Sequence, residues 1–287
     1  MAGFSGRLFL TLDGGNNWFN ASGGFGLFGQ AKIKSPVLDI AISPTNPGIV
    51  FAGLSGDGIF KTTNGGITWT QVRKGSVAIG QTDNFLVVRI APSSPSTIYA
   101  AGFSQFNGGS FYCSYAERGC VELTGVLPFT PIMSIDGGST WTNITIPQSP
   151  SFPYSAFLLT DLALDPTNKN AVYAATLAYT NPFFFTVGNQ GAFKSMDAGN
   201  TWVPINDPGI TNLSLFPVFQ LFLSPESPKS IYGMAGFSGI FKSTNAGESW
   251  AEMTSSGLPF PTFIRASAIG GNRIYSLTSA GIYVHDK

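Results

Sequence analysis

The chain has 287 residues, of which 43% are hydrophobic and only 10% are charged, with 15 basic and 15 acidic side chains in balance. This balance provides no basic field for nucleic acid or anionic lipid, and the sequence has no run of about 18 apolar residues that could form a membrane span. Phe and Gly, at 25 and 35 residues, indicate many short strands, tight turns and an apolar surface that a partner covers.

The clearest repeat unit predicts strands at residues 37–42, 49–52, 58–62 and 68–72, with a Pro-rich turn after the first strand. Shorter or longer versions of this unit follow along the chain. The opening pair of strands recurs at residues 86–101, 161–175 and 220–236, and in weaker form at 265–277. Third strands recur at residues 191–195, 239–243 and 281–285. The unit is therefore about 48 to 50 residues long, with insertions.

Five third strands lead into similar eight-residue segments, which we call the tryptophan turns: residues 11–18, 62–69, 134–141, 195–202 and 243–250. Each begins with Ser or Thr, has Asp or Asn two positions on, Gly two positions later, and ends in Trp. The acid or amide can accept backbone N–H groups one to three residues on, and the Gly supplies a positive φ. The acid or amide positions are Asp13, Asn64, Asp136, Asp197 and Asn245, and the tryptophans are Trp18, Trp69, Trp141, Trp202 and Trp250.

The pattern Ser-x-Asp-x-Gly-x-Thr-Trp, complete in residues 134–141, resembles the Asp-box, or BNR repeat, of sialidases, sortilin-type receptors, family 74 xyloglucanases and photosystem II assembly factors. The resemblance implies an all-β fold, a β-propeller of four-stranded antiparallel blades. We predict six blades, four complete and two partial at the termini, because residues 1–6 match residues 234–239 and the last strand is a third strand. The expected single domain spans residues 1–287 and could be a segment of a longer chain.

Two insertions between second and third strands, residues 103–131 and 177–190, are rich in aromatic side chains. In a propeller, such loops open on one face, so they predict an aromatic docking surface. The alternative is that the loops bury these rings against each other. The candidate binding residues are Phe103, Phe106, Phe111, Tyr112, Tyr115, Tyr179, Phe183, Phe184 and Phe185. We therefore predict a non-enzymatic protein-binding or scaffold propeller in an extracytoplasmic assembly.

The alternative function is a carbohydrate-active propeller, a glycoside hydrolase or sugar-binding protein that uses channel-facing carboxylates. Asp39 and Asp161 occupy the same position of two first strands, and Asp57 follows a second strand. Equivalence between repeats favours a structural role for Asp39 and Asp161. Sialidase activity needs three arginines that grip a carboxylate. Only Arg89 and Arg265 lie in predicted innermost strands. The alternative is that both are ordinary strand residues or members of ion pairs.

Cys113 and Cys120 lie within one predicted loop, which favours a local disulfide over two free thiols. The only histidine, His285, is near the opposite end of the chain, so we predict no metal site. No cofactor is predicted either. The expected partner is a protein or a larger complex, and any small-molecule ligand is left open.

Overall fold

The computed structural model describes residues 8–21, 35–75, 81–106, 126–128, 130–147, 156–179, 187–205, 218–226, 229–235, 239–253, 264–278 and 281–286. All regular structure in these residues is β-strand, in six antiparallel sheets. None of them forms a helix long and apolar enough to cross a membrane. The chain divides into two compact units, one of residues 1–108 and 125–144, the other of residues 109–124 and 145–287.

The first unit contains three sheets. A two-stranded sheet pairs β1 (Phe9–Leu10) with β2 (Phe19–Asn20). A four-stranded sheet follows in chain order: β3 (Val37–Ile42), β4 (Val50–Leu54), β5 (Gly58–Thr62) and β6 (Thr70–Arg73). The third sheet has the order β11-β10-β8-β7, and β9 adds to β8. Its strands are β7 (Gln81–Ala91), β8 (Ser94–Phe106), β9 (Val126–Pro128), β10 (Ile132–Ser134) and β11 (Thr142–Asn143).

The second unit also contains three sheets, each with its strands in chain order. Its first sheet is β12 (Ala156–Leu164), β13 (Val172–Tyr179), β14 (Val187–Ser195) and β15 (Val203–Pro204). The next is β16 (Gln220–Leu223), β17 (Ile231–Met234), β18 (Ile240–Ser243) and β19 (Ala251–Met253). The last has three described strands, β20 (Ile264–Gly270), β21 (Arg273–Thr278) and β22 (Gly281–Asp286). The predicted pattern of four complete and two partial sheets is confirmed within the described residues.

The core of each unit lies between neighbouring sheets. In the first unit, Phe51 and Ile59 of the four-stranded sheet pack with Val88 and Ile132 of the next. In the second unit, Ala175 and Ala192 pack with Leu221 and Phe241 in the same way. The sheets β3 to β6 and β16 to β19 bury apolar side chains on both faces, so each of these two sheets is stabilised by two neighbours. This stacking explains why the strands are rich in Val, Ile, Phe and Ala.

A β-bulge recurs at one place in the first strand of four sheets. The register shifts between Val37 and Asp39, between Phe85 and Val87, and at two further places, Leu159/Asp161 and Ile264/Ala266. A bulge bends the strand and redirects the side chains that follow it. The residue after the bulge is therefore aimed differently from the residues before it.

Candidate functional site

The tryptophan turns are held together by their own side chains. In the third turn, Ser134 Oγ donates to Asp136 Oδ1 at 2.7 Å and accepts the backbone N–H of Gly138 at 2.8 Å. Asp136 Oδ1 also accepts the backbone N–H of Thr140 at 2.9 Å. It accepts the N–H of Ser139, three residues on and within the predicted range, at 2.9 Å as well, so the acceptor reaches one residue farther than the pattern predicted. The predicted positive φ is confirmed, for example +90° at Gly138 and +92° at Gly66.

Asp and Asn can both occupy this position because in four of the turns the residue opposite has a hydroxyl group, which can donate or accept. Thr140 Oγ1 donates to Asp136 Oδ2 at 2.6 Å. In the second turn the direction reverses, since Asn64 Nδ2 donates to Thr68 Oγ1 at 2.8 Å. The hydrogen bonds to the carboxylates also change their acidity. Bonds from the backbone and side chain of Asn17 lower the pKa of Asp13 to about 2, and bonds from Thr140 lower the pKa of Asp136 well below its usual range.

Three of the tryptophans, Trp69, Trp141 and Trp250, join neighbouring sheets. Trp69 Nε1 donates to the carbonyl oxygen of Ala21 at 2.8 Å, and Trp250 Nε1 donates to that of Ile205 at 2.8 Å. Both indoles are buried, at 3% and 5% exposure. The turns are therefore structural connectors, and their polar groups are already paired within the turn.

Asp39 and Asp161, the carboxylates weighed as channel residues, also join sheets. Asp39 Oδ2 accepts the backbone N–H of Val88 at 2.9 Å and pairs with Arg89 Nη1. Asp161 Oδ2 accepts the backbone N–H of Leu221 at 3.1 Å. Both follow the recurrent bulge, which turns them towards the first strand of the next sheet. They stabilise the sheet interface, as their equivalence between repeats predicted.

Gln220 occupies the corresponding position in the next first strand and makes the same connection. Its Oε1 accepts the backbone N–H of Ser267 at 2.9 Å, and its Nε2 donates to the Ser267 carbonyl oxygen at 3.1 Å. An amide thus replaces the carboxylate. A role shared by Asp and Gln requires a hydrogen-bond acceptor and no titratable group, which argues against catalysis by this position.

A second group of polar side chains, the strand-end cluster, lies in the first unit at the ends of the strands opposite the tryptophan turns. Ser35 Oγ donates to Asp57 Oδ2 at 2.6 Å, and Ser55 Oγ donates to Asn84 Oδ1 at 2.6 Å. Ser104 Oγ donates to Asp83 Oδ1. Its members are Ser35, Ser55, Asp57, Asp83, Asn84 and Ser104.

The cluster has a buried half and a solvent-accessible half. Asp83, Asn84 and Ser104 are buried, at 2%, 4% and 3% exposure, whereas Asp57 and its partner Ser35 are half-buried. Close backbone contacts fix it: the Gly56 N–H donates to the carbonyl oxygen of Asp83 at 2.7 Å, and a side chain at Gly102 would overlap the Asn84 carbonyl group. The cluster therefore combines a buried polar part with one half-buried carboxylate, that of Asp57.

Only Asp57 of this cluster was singled out from the sequence. Asp83 and Asn84 stand in a strand that was predicted to begin at residue 86, whereas β7 begins at Gln81. Ser104 is opposite Asp83 in the register of β7 and β8. The signal that could have indicated them is an Asp-Asn pair directly before an apolar strand.

The predicted aromatic surface lies mostly outside the described residues. Phe111, Tyr112, Tyr115, Phe183, Phe184 and Phe185 are outside them, as are Cys113 and Cys120, and so are the side chains of Phe106 and Tyr179. Phe103 is described, in β8, and it is 7% exposed. Its ring therefore packs in the interior of the first unit, and it offers almost no docking surface.

Among the described residues, no group of three or more His, Cys, Asp or Glu side chains could hold a metal ion. His285 lies on β22, where it is opposite Ile274. Arg89 forms the ion pair with Asp39, which is the ordinary role expected for it.

Comparison with known proteins gives matches of low identity. A xyloglucanase of Hypocrea jecorina is 23% identical over 212 residues, which cover 70% of this chain and 23% of that protein. The GH74 xyloglucanase structure from Xanthomonas campestris matches with a TM-score of 0.56 and 14% identity, over 85% of this chain and 36% of that one. The GH74 enzyme of Niastella koreensis has the same TM-score at 19% identity, over 98% and 41%. No family model matches.

The sheets and these structural matches together define the fold class. The chain is an all-β protein of the β-propeller class, built from four-stranded antiparallel sheets. It spans 23% of the length of the curated xyloglucanase and 36% to 41% of the two solved chains. Fold class alone leaves the function to be argued from the site.

Proposed function

We propose that this chain is a carbohydrate-active propeller that binds a neutral polysaccharide of the xyloglucan class through the strand-end cluster. The observation that carries the proposal is the strand-end cluster itself, in which the half-buried Asp57 follows Gly56, whose N–H donates to the carbonyl oxygen of the buried Asp83. Carboxylate and amide oxygens accept hydrogen bonds from sugar hydroxyl groups, and serine hydroxyls donate or accept them. The cluster thus offers the groups that sugar recognition requires.

The electrostatics of the chain suit a neutral ligand. Its 15 basic and 15 acidic residues cancel, so no long-range field favours an anionic polymer. Asp57 is held by the hydroxyl of Ser35, while Gln71 Nε2 donates to the Asp57 carbonyl oxygen at 2.6 Å. A carboxylate that is already oriented loses little side-chain entropy when a sugar binds.

The similarity to xyloglucanases supports the ligand class. The match to the Hypocrea jecorina protein extends over 212 residues, far more than one repeat. A polysaccharide ligand also favours an extracytoplasmic location for this protein.

We further propose that the five tryptophan turns are Asp-boxes with a structural role. Their Ser or Thr, Asp or Asn, Gly and Trp residues bond within the turn and to the preceding sheet, as the third turn and Trp69 illustrate. On this proposal the turns stabilise one end of each sheet. Ligand recognition takes place at the other end.

Isothermal titration calorimetry with xyloglucan oligosaccharides tests the polysaccharide site. We expect binding by the native chain and a loss of at least about tenfold in affinity for Asp57→Ala, the order that one charge-assisted hydrogen bond provides. Glu252→Ala is the matched control, because Glu252 is an exposed carboxylate on β19 of the second unit. The same samples, assayed for reducing ends, report whether bound glycan is cleaved.

Two results would overturn this proposal. One is that xyloglucan oligosaccharides do not bind to the native, folded chain. The other is that Asp57→Ala binds them as tightly as Glu252→Ala does. In the second case the chain would bind glycan elsewhere, and the strand-end cluster would be structural only.

A further inference from the structure

The second tryptophan turn contains an asparagine that is followed directly by glycine, Asn64 and Gly65. This pair is chemically reactive. The backbone nitrogen of the glycine can attack Cγ of the asparagine side chain, because no Cβ atom on the glycine obstructs the approach. The new N–Cγ bond closes a succinimide ring, while the bond from Cγ to Nδ2 breaks and Nδ2 leaves as ammonia with the amide proton. Water then opens the ring to give aspartate or isoaspartate.

The backbone N–H of Gly65 is held in the folded chain. It donates to the carbonyl oxygen of Gly48, in the Pro-rich turn before β4, at 2.9 Å. The equivalent N–H is held in the same way in three further turns: Gly137 donates to Ser96, Ala198 to Asn170 and Ala246 to Lys229, at 2.8, 2.9 and 2.9 Å. The nitrogen must lose its proton and this hydrogen bond before it can attack.

The side chain of Asn64 is held as well, although it is exposed to water. Its Oδ1 accepts the hydroxyl of Thr62 at 2.8 Å and the backbone N–H of Thr68 at 2.9 Å. Its Nδ2 donates to Thr68 Oγ1 at 2.8 Å. These bonds direct the amide group towards Thr68, four residues on. The side chain must break them to bring Cγ to the nitrogen of Gly65.

The aspartate that deamidation produces fits the turn, whereas isoaspartate does not. Asp136 is at the equivalent position of the third turn and accepts both the N–H and the hydroxyl of Thr140. Thr68 offers the same two groups, since a hydroxyl can donate as well as accept. Isoaspartate adds the Cβ atom to the main chain, so it displaces every N–H group that follows in the turn.

We propose that Asn64 is a deamidation site of this protein and that the folded second turn protects it, so that the reaction follows transient opening of the turn. Two observations carry the proposal. Of the five turns, only the second has Asn followed by Gly, and four hydrogen bonds hold the two reacting groups. Asn245 of the fifth turn is followed by Ala246, whose Cβ hinders the attack.

Mass spectrometry of peptides from the aged chain tests the proposal. One sample is kept folded in mildly alkaline buffer, and a second is kept unfolded in concentrated guanidinium chloride at the same pH. We expect Asn64 to deamidate at least about tenfold more slowly in the folded chain, a factor that corresponds to about 1.4 kcal/mol. In the unfolded chain, Asn64 should react as fast as Asn107, the other asparagine that precedes a glycine, and faster than Asn245.

A pair of matched variants separates protection by the turn from the stability of the whole chain. Thr68→Val removes the hydroxyl that accepts Nδ2 of Asn64, with little change in shape. It should speed the deamidation of Asn64 in the folded chain by about two- to tenfold, the range expected for one hydrogen bond. Thr140→Val makes the same change in the third turn and should leave the rate at Asn64 unchanged. Denaturation midpoints of both variants are measured in parallel.

Three results would overturn the proposal. The first is an equal rate of deamidation at Asn64 in the folded and unfolded chains. The second is a rate at Asn64 no higher than that at Asn245 in the unfolded chain. The third is an equal rate at Asn64 in the folded Thr68→Val and Thr140→Val variants.

Discussion

Asp161 connects two sheets through a single side chain: its Oδ2 accepts the N–H of Leu221, 60 positions farther along the chain, while its Oδ1 accepts the N–H of Leu162 at 2.9 Å. Asp161 and Leu221 are 4% and 3% exposed. Water cannot replace the carboxylate at such a buried site, so the connection is expected to matter for stability.

Replacing Asp161 with Ala should lower the free energy of unfolding by about 1–3 kcal/mol, the cost of leaving a buried N–H without an acceptor. Urea denaturation followed by tryptophan fluorescence measures the change. The exposed Glu252→Ala should stay within about 0.5 kcal/mol of the native chain. Equal midpoints for the two variants would show that the connection contributes nothing.

Ala198 and Ala246 have positive φ angles of 60° and 59°, at the position where the first three turns have Gly. A side chain in this conformation costs roughly 1–2 kcal/mol, and the greater freedom of glycine in the unfolded chain offsets part of that. Ala198→Gly should therefore raise the free energy of unfolding by up to about 1 kcal/mol. Gly137→Ala in the third turn is the reciprocal change and should lower it. A loss of stability in both variants would contradict this account.

Gly138 combines a φ of +90° with close packing, since a Cβ atom there would lie 2.9 Å from Cε1 of Phe51. Gly138→Val should lower the free energy of unfolding by roughly 2–4 kcal/mol, the sum of backbone strain and overpacking. Thermal unfolding monitored by circular dichroism should show a clearly lower Tm. At Gly65, nothing lies within 4 Å of the place that a Cβ atom would occupy. Gly65→Val therefore adds backbone strain without overpacking, and it should lower the free energy of unfolding less than Gly138→Val does.

The carboxylates of the tryptophan turns should make stability dependent on pH in acid. Hydrogen bonds lower the folded pKa of Asp13 and of Asp197 to about 2, from the ordinary value of 3.8. Their contribution to stability is therefore present above the unfolded pKa and is lost as pH falls through the folded pKa. Stability should therefore decline between about pH 4 and pH 2.

Asp136→Asn provides the corresponding control. Asn64 and Asn245 already form the same turn with an amide, so the variant should fold at neutral pH and lose less stability in acid than the native chain. Denaturation midpoints at several pH values measure the difference. An unchanged pH profile would mean that Asp136 does not contribute to it.

The aromatic insertions predict a different partner surface, and a triple substitution tests it. Phe183, Phe184 and Phe185 replaced together with Ser should abolish co-purification with a protein partner, if the second insertion docks it. Xyloglucan binding should be unchanged in this variant, because the strand-end cluster belongs to the other unit. Retained association with the partner would exclude the aromatic surface.

Local sequence signals accounted for much of the fold. The tryptophan turns could be predicted because the residues that hydrogen-bond within each turn lie within eight positions of one another. The second strand predicted at residues 49–52 is present as Val50–Leu54. The strand-end cluster could not be found in this way. Asp83 and Ser104 meet only through the register of a long hairpin, and Ser55 and Asn84 only through the contact of two sheets.

The recurrent bulge has a consequence for how the first strands tolerate substitution. Phe85, Val88 and Ile90 all belong to one cluster, although regular alternation would place Phe85 and Val88 on opposite faces. The face to which a position belongs is therefore exchanged at Leu86. The same exchange at Leu38 leaves Val37 and Ile40 in one cluster, so an odd-numbered position before the bulge and an even-numbered position after it contact the same neighbouring sheet.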